Sequence, residues 1–156
     1  MSTHTPLPKK ITYEQLEKLD RQTHRDIRGL INQLVDNAAG YRYSPTVMTQ
    51  AVRDPNTFIL TARDGKSIVG IGTLIVMFAP SGLYGMVENV VVDARVRSMG
   101  IGRALMQCLI AEARRRKLLK LELTSNPSRI AANHLYQSLG FQKRETNPYR
   151  LILART

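Results

Sequence analysis

Between Val90 and Arg103 the chain reads Val-Val-Val-Asp-Ala-Arg-Val-Arg-Ser-Met-Gly-Ile-Gly-Arg, and few folds can accommodate that run. A hydrophobic strand ends, a basic loop follows, and Gly100 and Gly102 open a helix. Glycine allows a backbone to approach a ligand without a Cβ in the way. The unpaired amides at a helix N-terminus, aided by the dipole, form an anion site. Arg95, Arg97 and Arg103 add positive charge around it. The segment therefore reads as a place to hold a pyrophosphate.

The surrounding residues narrow the choice of pyrophosphate. A P-loop ends in Gly-Lys-Ser/Thr, whereas Gly102 is followed by Arg103 and Ala104. A dinucleotide fingerprint requires a small residue where this chain has Leu105. The acidic residue such a fingerprint places about 20 positions further on has a mimic in Glu122, but the upstream segments are antiparallel in pattern, which argues against it.

The rest of the chain frames this turn. Ile11 to Leu16 fits either a first strand or the lead into a helix. From Asp26 to Val35, Ile27, Leu30, Ile31, Leu34 and Val35 recur on one helical face. Asp36 to Ser44 reads as a loop, and Ser44-Pro45 starts a helix to Arg53. Thr57 to Arg63 and Ser67 to Phe78 flank Asp64-Gly65, a hairpin signal, and Leu83 to Val92 follows the Pro80-Ser81-Gly82 turn, giving an antiparallel meander. Ile101, Ala104, Leu105, Cys108 and Leu109 form a helical stripe; Leu118 to Thr124 is a strand; Pro127 to Leu139 is a helix stopped by Gly140. Strand, helix, strand from Leu83 to Thr124 implies a parallel pair with a right-handed crossover. Phe141 to Glu145 and Tyr149 to Leu153 are expected to close as a final hairpin.

No repeat, Pro-rich linker or low-complexity tract divides the 156 residues, so one domain over 11–156 is expected, after a short disordered lead-in over 1–10 without a secretory signal. The longest apolar run, Ile68 to Pro80, is glycine-broken and too short to span a bilayer. Cys108 is the single cysteine, which excludes an internal disulfide and a multi-cysteine metal site and points to a reduced, cytoplasmic setting. His4, His24 and His134 lack ligand spacing, and no metal is expected. The net charge of +11 suits RNA, an acidic membrane or an anionic cofactor. With 6% aromatic residues and no tryptophan, there is little to stack bases on. The Arg114-Arg115-Arg116-Lys117 run reads as a solvated helix end, where cations meet the negative pole of the dipole.

Arg97, Gly100 and Gly102 satisfy R-x-x-G-x-G, and downstream lies Ala132-x-x-x-Tyr136-x-x-x-Gly140-Phe141. On these two signatures the sequence resembles the GNAT superfamily of N-acetyltransferases over roughly Thr57 to Leu153. The resemblance implies an α/β fold of the α+β type, with a mixed, mostly antiparallel sheet of about six or seven strands, one splayed parallel pair and about four flanking helices. It implies acetyl-coenzyme A as co-substrate, gripped by Arg97, Ser98, Met99, Gly100, Ile101, Gly102 and Arg103, with its pantetheine arm along the backbone of Val90, Val91 and Val92. Tyr136 matches the family's usual general acid, and a hydroxyl with a pKa near 10 can protonate a departing thiolate. Glu88, two residues before Val90 and so on the same side of a regular strand, is the candidate to take the amine's proton or bind a cationic substrate. Where many members carry asparagine, seven residues before the tyrosine, this chain has Arg129; Asn126 and Asn133 are the alternative amide contacts to coenzyme A, and Arg129 a candidate phosphate contact. Phe141 and Cys108 read as core, and His134 as a neutral structural histidine. The acceptor is expected to be a small polar or anionic amine, shaped by Tyr41, Arg42, Tyr43, Asn147 and Tyr149, with a peptide N-terminus or lysine as the alternative. A basic nucleic-acid-binding module and a coenzyme A sensor without turnover are the non-enzymatic alternatives, and dimers are common in this family.

Overall fold

The computed structural model describes residues 10–34 and 42–153. Five strands among them form one sheet: β1 (Ile11–Gln15), β2 (Thr57–Asp64), β3 (Ser67–Ala79), β4 (Gly82–Val92) and β5 (Lys120–Leu123). They lie in chain order, antiparallel from β1 to β4, with β5 parallel to β4. Four helices accompany them: α1 (Arg21–Leu34), α2 (Pro45–Arg53), α3 (Ile101–Arg115) and α4 (Ile130–Ser138). This is the mixed α/β architecture expected from the sequence, with the crossover through α3. No helix among the described residues is long and apolar enough to cross a membrane.

The ambiguous first segment is a strand, because Ile11 and Tyr13 can pack inward while Thr12 and Glu14 stay wet, and it pairs with β2 from Ile11↔Asp64 to Gln15↔Leu60. Helix α1 starts at Arg21, five residues before the helix expected from Asp26. Asp20 caps it, with the Thr23 N–H donating to Asp20 Oδ1 at 2.7 Å. At α2 the Ser44 hydroxyl accepts from Val47 N–H and Pro45 occupies the first turn, so signal and structure coincide.

Two hydrophobic layers sandwich the sheet. On one face α1 and α2 bury Leu16, Ile27, Leu30, Ile59, Ile68, Ile71 and Val91. On the other, α3 buries Leu60, Leu74, Val87, Leu105, Met106 and Leu109, with Leu135 and Tyr136 of α4 and Leu139 just past it alongside. Helix α3 sits close over β3 because Gly70 and Gly72 share its face: a Cβ there would stand 3.1 Å from Leu105 Cδ1 and 3.0 Å from Leu109 Cδ1. Both glycines are therefore packing residues.

Two expectations are corrected. The sheet has five strands among the described residues rather than six or seven, because 142–153 form no strand. Tyr149 is 90% exposed, and Leu151, Ile152 and Leu153 are 81%, 67% and 88% exposed. Leu-Ile-Leu in direct succession lacks the alternation that divides a strand between a buried and a wet face, and Pro148 removes a ladder donor just before it. Of the expected loop over Asp36 to Ser44, only Arg42 to Ser44 fall within the described residues, and they are irregular; the lead-in over 1–9 lies outside them.

The second correction concerns the phase of β4. Thr73 pairs with Glu88 and Ile71 pairs with Val91, so two residues, Asn89 and Val90, oppose Gly72 alone. This is a β-bulge, and Asn89 has φ 53°, a conformation asparagine tolerates better than most residues. Because Ile71 belongs to the α1-side layer, Thr73 and its partner Glu88 face that side too, whereas Val90 packs into the α3-side layer. Glu88 and Val90 thus lie on opposite faces. The extra residue breaks the alternation that placed them together.

Candidate active site

Strands β4 and β5 pair only from Tyr84↔Lys120 to Val87↔Leu123. Beyond that point β5 has ended while Glu88 to Val92 continue, bonded to β3 on one edge and free of β5 on the other. The bulge lies within this stretch, where a bulged residue leaves the ladder locally unpaired. A backbone edge with donors out of the ladder therefore runs from Asn89 toward the turn before α3.

That turn combines features that suit an anion. Asp93 caps a single 3-10 turn, Ala94–Val96, and its carboxylate grips Arg95 at 2.7 Å. The Arg95 hydrogen bond holds the Asp93 carboxyl below the usual carboxylate range despite its burial. Arg95 is therefore committed to the fold. Arg97 curls back, its Nε donating to Val92 O at 3.1 Å, and Arg103 donates from Nη2 to Ser138 Oγ at 2.8 Å, joining α3 to α4. Ser98 and Gly100 have φ 65° and 77°. Gly100 is the left-handed N-cap of α3, and a Cβ on it would touch nothing within 4 Å. The first helical bond is Ala104 N–H to Gly100 O at 3.0 Å, so the amides of Ile101, Gly102 and Arg103 precede the helical ladder. Open space, free amides and a helix dipole coincide there. A diphosphate fits this arrangement.

Tyr136 is fixed by the end of α4. The Phe141 N–H donates to Tyr136 O at 3.1 Å and Gly140 N–H to Gln137 O at 3.0 Å, a Schellman ending with Gly140 at φ 94°. The hydrophobic contact that accompanies such an ending is Tyr136 against Phe141, edge to face with centroids 6.2 Å apart. The spacing Tyr-x-x-x-Gly-Phe is thus a device for holding the ring. Burial pushes the Tyr136 hydroxyl above its ordinary 10.0, and the charge of Arg129 partly opposes it.

The remaining expected residues separate. Asn126 caps the approach to α4, accepting from Ser128 N–H at 2.9 Å, and its carbonyl accepts from Asn133 Nδ2 at 2.9 Å. Asn133's amide nitrogen therefore serves the local fold. Arg129 places Nη2 2.5 Å from Leu34 O, one residue past the Gln33 that accepts from Ala94 N–H. Tyr43 sits 2.5 Å from His24 Nδ1 with Arg28 over its ring, while Tyr149 is solvent-exposed. His134 is exposed and Cys108 half-buried against the α3-side layer. The basic run at the end of α3 is partly clamped: Glu112 meets Arg115 at 2.7 Å and Arg116 at 2.6 Å, and Arg116 reaches Pro55 O at 2.8 Å.

One residue with a place at the site was not singled out for it from sequence. Glu122 pairs with Met86, and because Leu121 and Leu123 pack on the α3 side, Glu122 faces the α1 side, as Glu88 does. It is half-buried, with Lys120 Nζ at 3.4 Å and Arg144 as a second ion-pair partner. The paired strands bring two carboxylates to the same face beside the opening. The cavities of about 220 and 340 Å³ near β1 include neither, nor any residue of the anion turn.

A family model described as "Acetyltransferase (GNAT) family" matches residues 16–141. The ribosomal protein bS18 alanine N-acetyltransferase of Escherichia coli strain K12 is 42% identical over 55 residues, which are 35% of this chain; the match spans only 37% of that enzyme's length. Among solved structures, a transcriptional regulator from Bacillus halodurans C-125 superposes with TM-score 0.77 at 21% identity, covering 92% of this chain and 100% of that one. A predicted acetyltransferase from Clostridium acetobutylicum with acetyl-CoA gives 0.71 at 18% identity, covering 92% and 97%. At these identities the structures share the fold.

Proposed function

The chain belongs to the GNAT acetyltransferase family, and from that premise we propose that it transfers an acetyl group from acetyl-coenzyme A to a primary amine by direct attack in a ternary complex. The observation that carries this reading is the continuity of the bulged, β5-free edge of β4 with the left-handed Gly100 turn. One end suits a diphosphate. The other suits the thioester.

In this reading the amides from Arg97 to Arg103 hold the diphosphate and the backbone of Val90 to Val92 aligns the pantetheine arm. A backbone N–H released by the bulge donates to the carbonyl oxygen as negative charge develops on it. Glu88, with Glu122 beside it, attracts the ammonium and takes one proton, directly or through water. The amine nitrogen then bonds to the acetyl carbon, the carbon–sulfur bond breaks, Tyr136 gives its proton to the departing sulfur, and the second proton shed by the new amide nitrogen returns through water to the Tyr136 oxygen. The two carboxylates lie on the α1 face and Tyr136 packs on the α3 face, so base and acid serve opposite ends of the same bond exchange.

The acceptor fits a small amine, because the α1 face offers carboxylates and the aromatic Tyr43 is engaged by His24. The local identity with an enzyme named for a ribosomal protein's alanine favours a second reading, a peptide N-terminus. Thiol release with acetyl-coenzyme A, measured on a polyamine, an aminosugar and an alanine-initiated peptide, separates them. A protein whose melting temperature and turnover ignore acetyl-coenzyme A would overturn the assignment, since a ligand of the native fold must raise its stability.

A further inference from the structure

Two side chains remote in sequence converge on the last turn of α1. Gln33 Oε1 accepts the N–H of Ala94, just past the end of β4, at 2.9 Å. Arg129, ahead of α4 and just after β5, places Nη2 2.5 Å from the Leu34 carbonyl oxygen. Leu34 closes the described part of α1. The two bonds span 61 and 95 positions of sequence.

Their arrangement has a mechanical meaning. The exits of β4 and β5 are the two sides of the opening, and one turn of α1 is tied to both. A ligand held by the turn after β4 and met by Tyr136 of α4 therefore removes freedom from the helix strung between them. We propose that Gln33 and Arg129 are positioning residues that couple occupancy of the coenzyme A site to the turn of α1 that holds Gln33 and Leu34; the proposal rests on the coenzyme A reading above. Arg129 acts through α1 and makes no contact with the diphosphate.

Hydrogen exchange of the Gly29–Leu34 amides, with and without coenzyme A, tests this in the wild type, Q33A, R129A and R129K, with coenzyme A affinity measured by calorimetry. Coenzyme A should slow exchange there about tenfold in the wild type, less than about twofold in R129A, and to an intermediate degree in Q33A. R129K should recover most of the effect, because an ammonium can also donate to the Leu34 carbonyl. By reciprocity, R129A should lose coenzyme A affinity by the factor that its coupling falls, well short of the loss from a direct phosphate contact. Wild-type protein that binds coenzyme A without slowed exchange, or R129A slowed as much as wild type, overturns the proposal and leaves the coenzyme A reading standing. Wild-type protein that does not bind coenzyme A overturns that reading instead. Should R129A fail to fold, Q33A and R129K carry the same comparison.

Discussion

Replacing Tyr136 by phenylalanine isolates one oxygen atom. The Schellman bonds at the end of α4 are main-chain to main-chain, and the edge-to-face contact with Phe141 involves only the ring, so both survive. Stability should change by no more than about 0.5 kcal/mol. The hydroxyl's pKa lies above 10.0 through burial, so at neutral pH well under about 1% is ionised and the acid is ready to donate. Removing a general acid costs about 10²–10⁴ in rate, or roughly 3–5 kcal/mol of barrier. The expected result is therefore kcat for thiol release lowered at least about a hundredfold. Coenzyme A affinity should stay within about twofold, since a diphosphate in this site is held by main-chain amides. The linkage has a definite sign: a raised folded pKa contributes stability that is complete below 10 and is lost as pH rises through the folded value. Y136F should accordingly lose less stability than wild type in that alkaline window. Full turnover in Y136F would refute the acid role. Turnover and coenzyme A affinity falling together would show that the hydroxyl binds rather than donates.

Gly100→Asp adds a carboxylate and a Cβ at φ 77° where the diphosphate is expected, and should weaken coenzyme A binding at least about tenfold by calorimetry. Gly140→Ala meets no atom within 4 Å but must hold φ 94°; denaturant unfolding should show a loss of about 1 kcal/mol. Glu112 is held at about 2 by Arg115 and Arg116, so its pairing stabilises the fold above its ordinary 4.5 and is lost as pH falls from there toward 2. E112Q should cost about 1–2 kcal/mol at pH 7, with the gap to wild type closing at acid pH. E122Q should raise KM for the amine more than it lowers kcat if the carboxylate attracts the ammonium; unchanged steady-state kinetics would remove it from the site.

What the sequence disclosed depended on how local the cause was. The Gly100 turn was legible because a left-handed cap ahead of a helix needs glycine, and α2 was legible to the residue because Ser44 and Pro45 act within one turn. Tyr136, Gly140 and Phe141 were visible as a spacing, and the structure supplies its reason, the Schellman ending. The start of α1 was missed because Arg21 to Arg25 carry little apolar signal, although Asp20 marked it. The bulge at Asn89 was hidden by the valines after it, since a register shift is a relation between two strands. Glu122 joined Glu88 for the same reason: their shared face exists only once β4 and β5 are paired. Arg129's bond to Leu34 could not be read from either segment alone.

The extra residue at Asn89 makes strand length, more than strand composition, the quantity under constraint. Deleting it would restore unbroken alternation and turn Tyr84, Met86 and Glu88 toward the hydrocarbon under α3, while Gly85 and Val87 rotated outward. A substitution in this strand alters one neighbour; a one-residue shortening inverts a whole half-strand and would drive a carboxylate into oil. Variants of this protein should therefore accept exchanges at half-buried positions such as Leu83 and Met86 more readily than any change in the count.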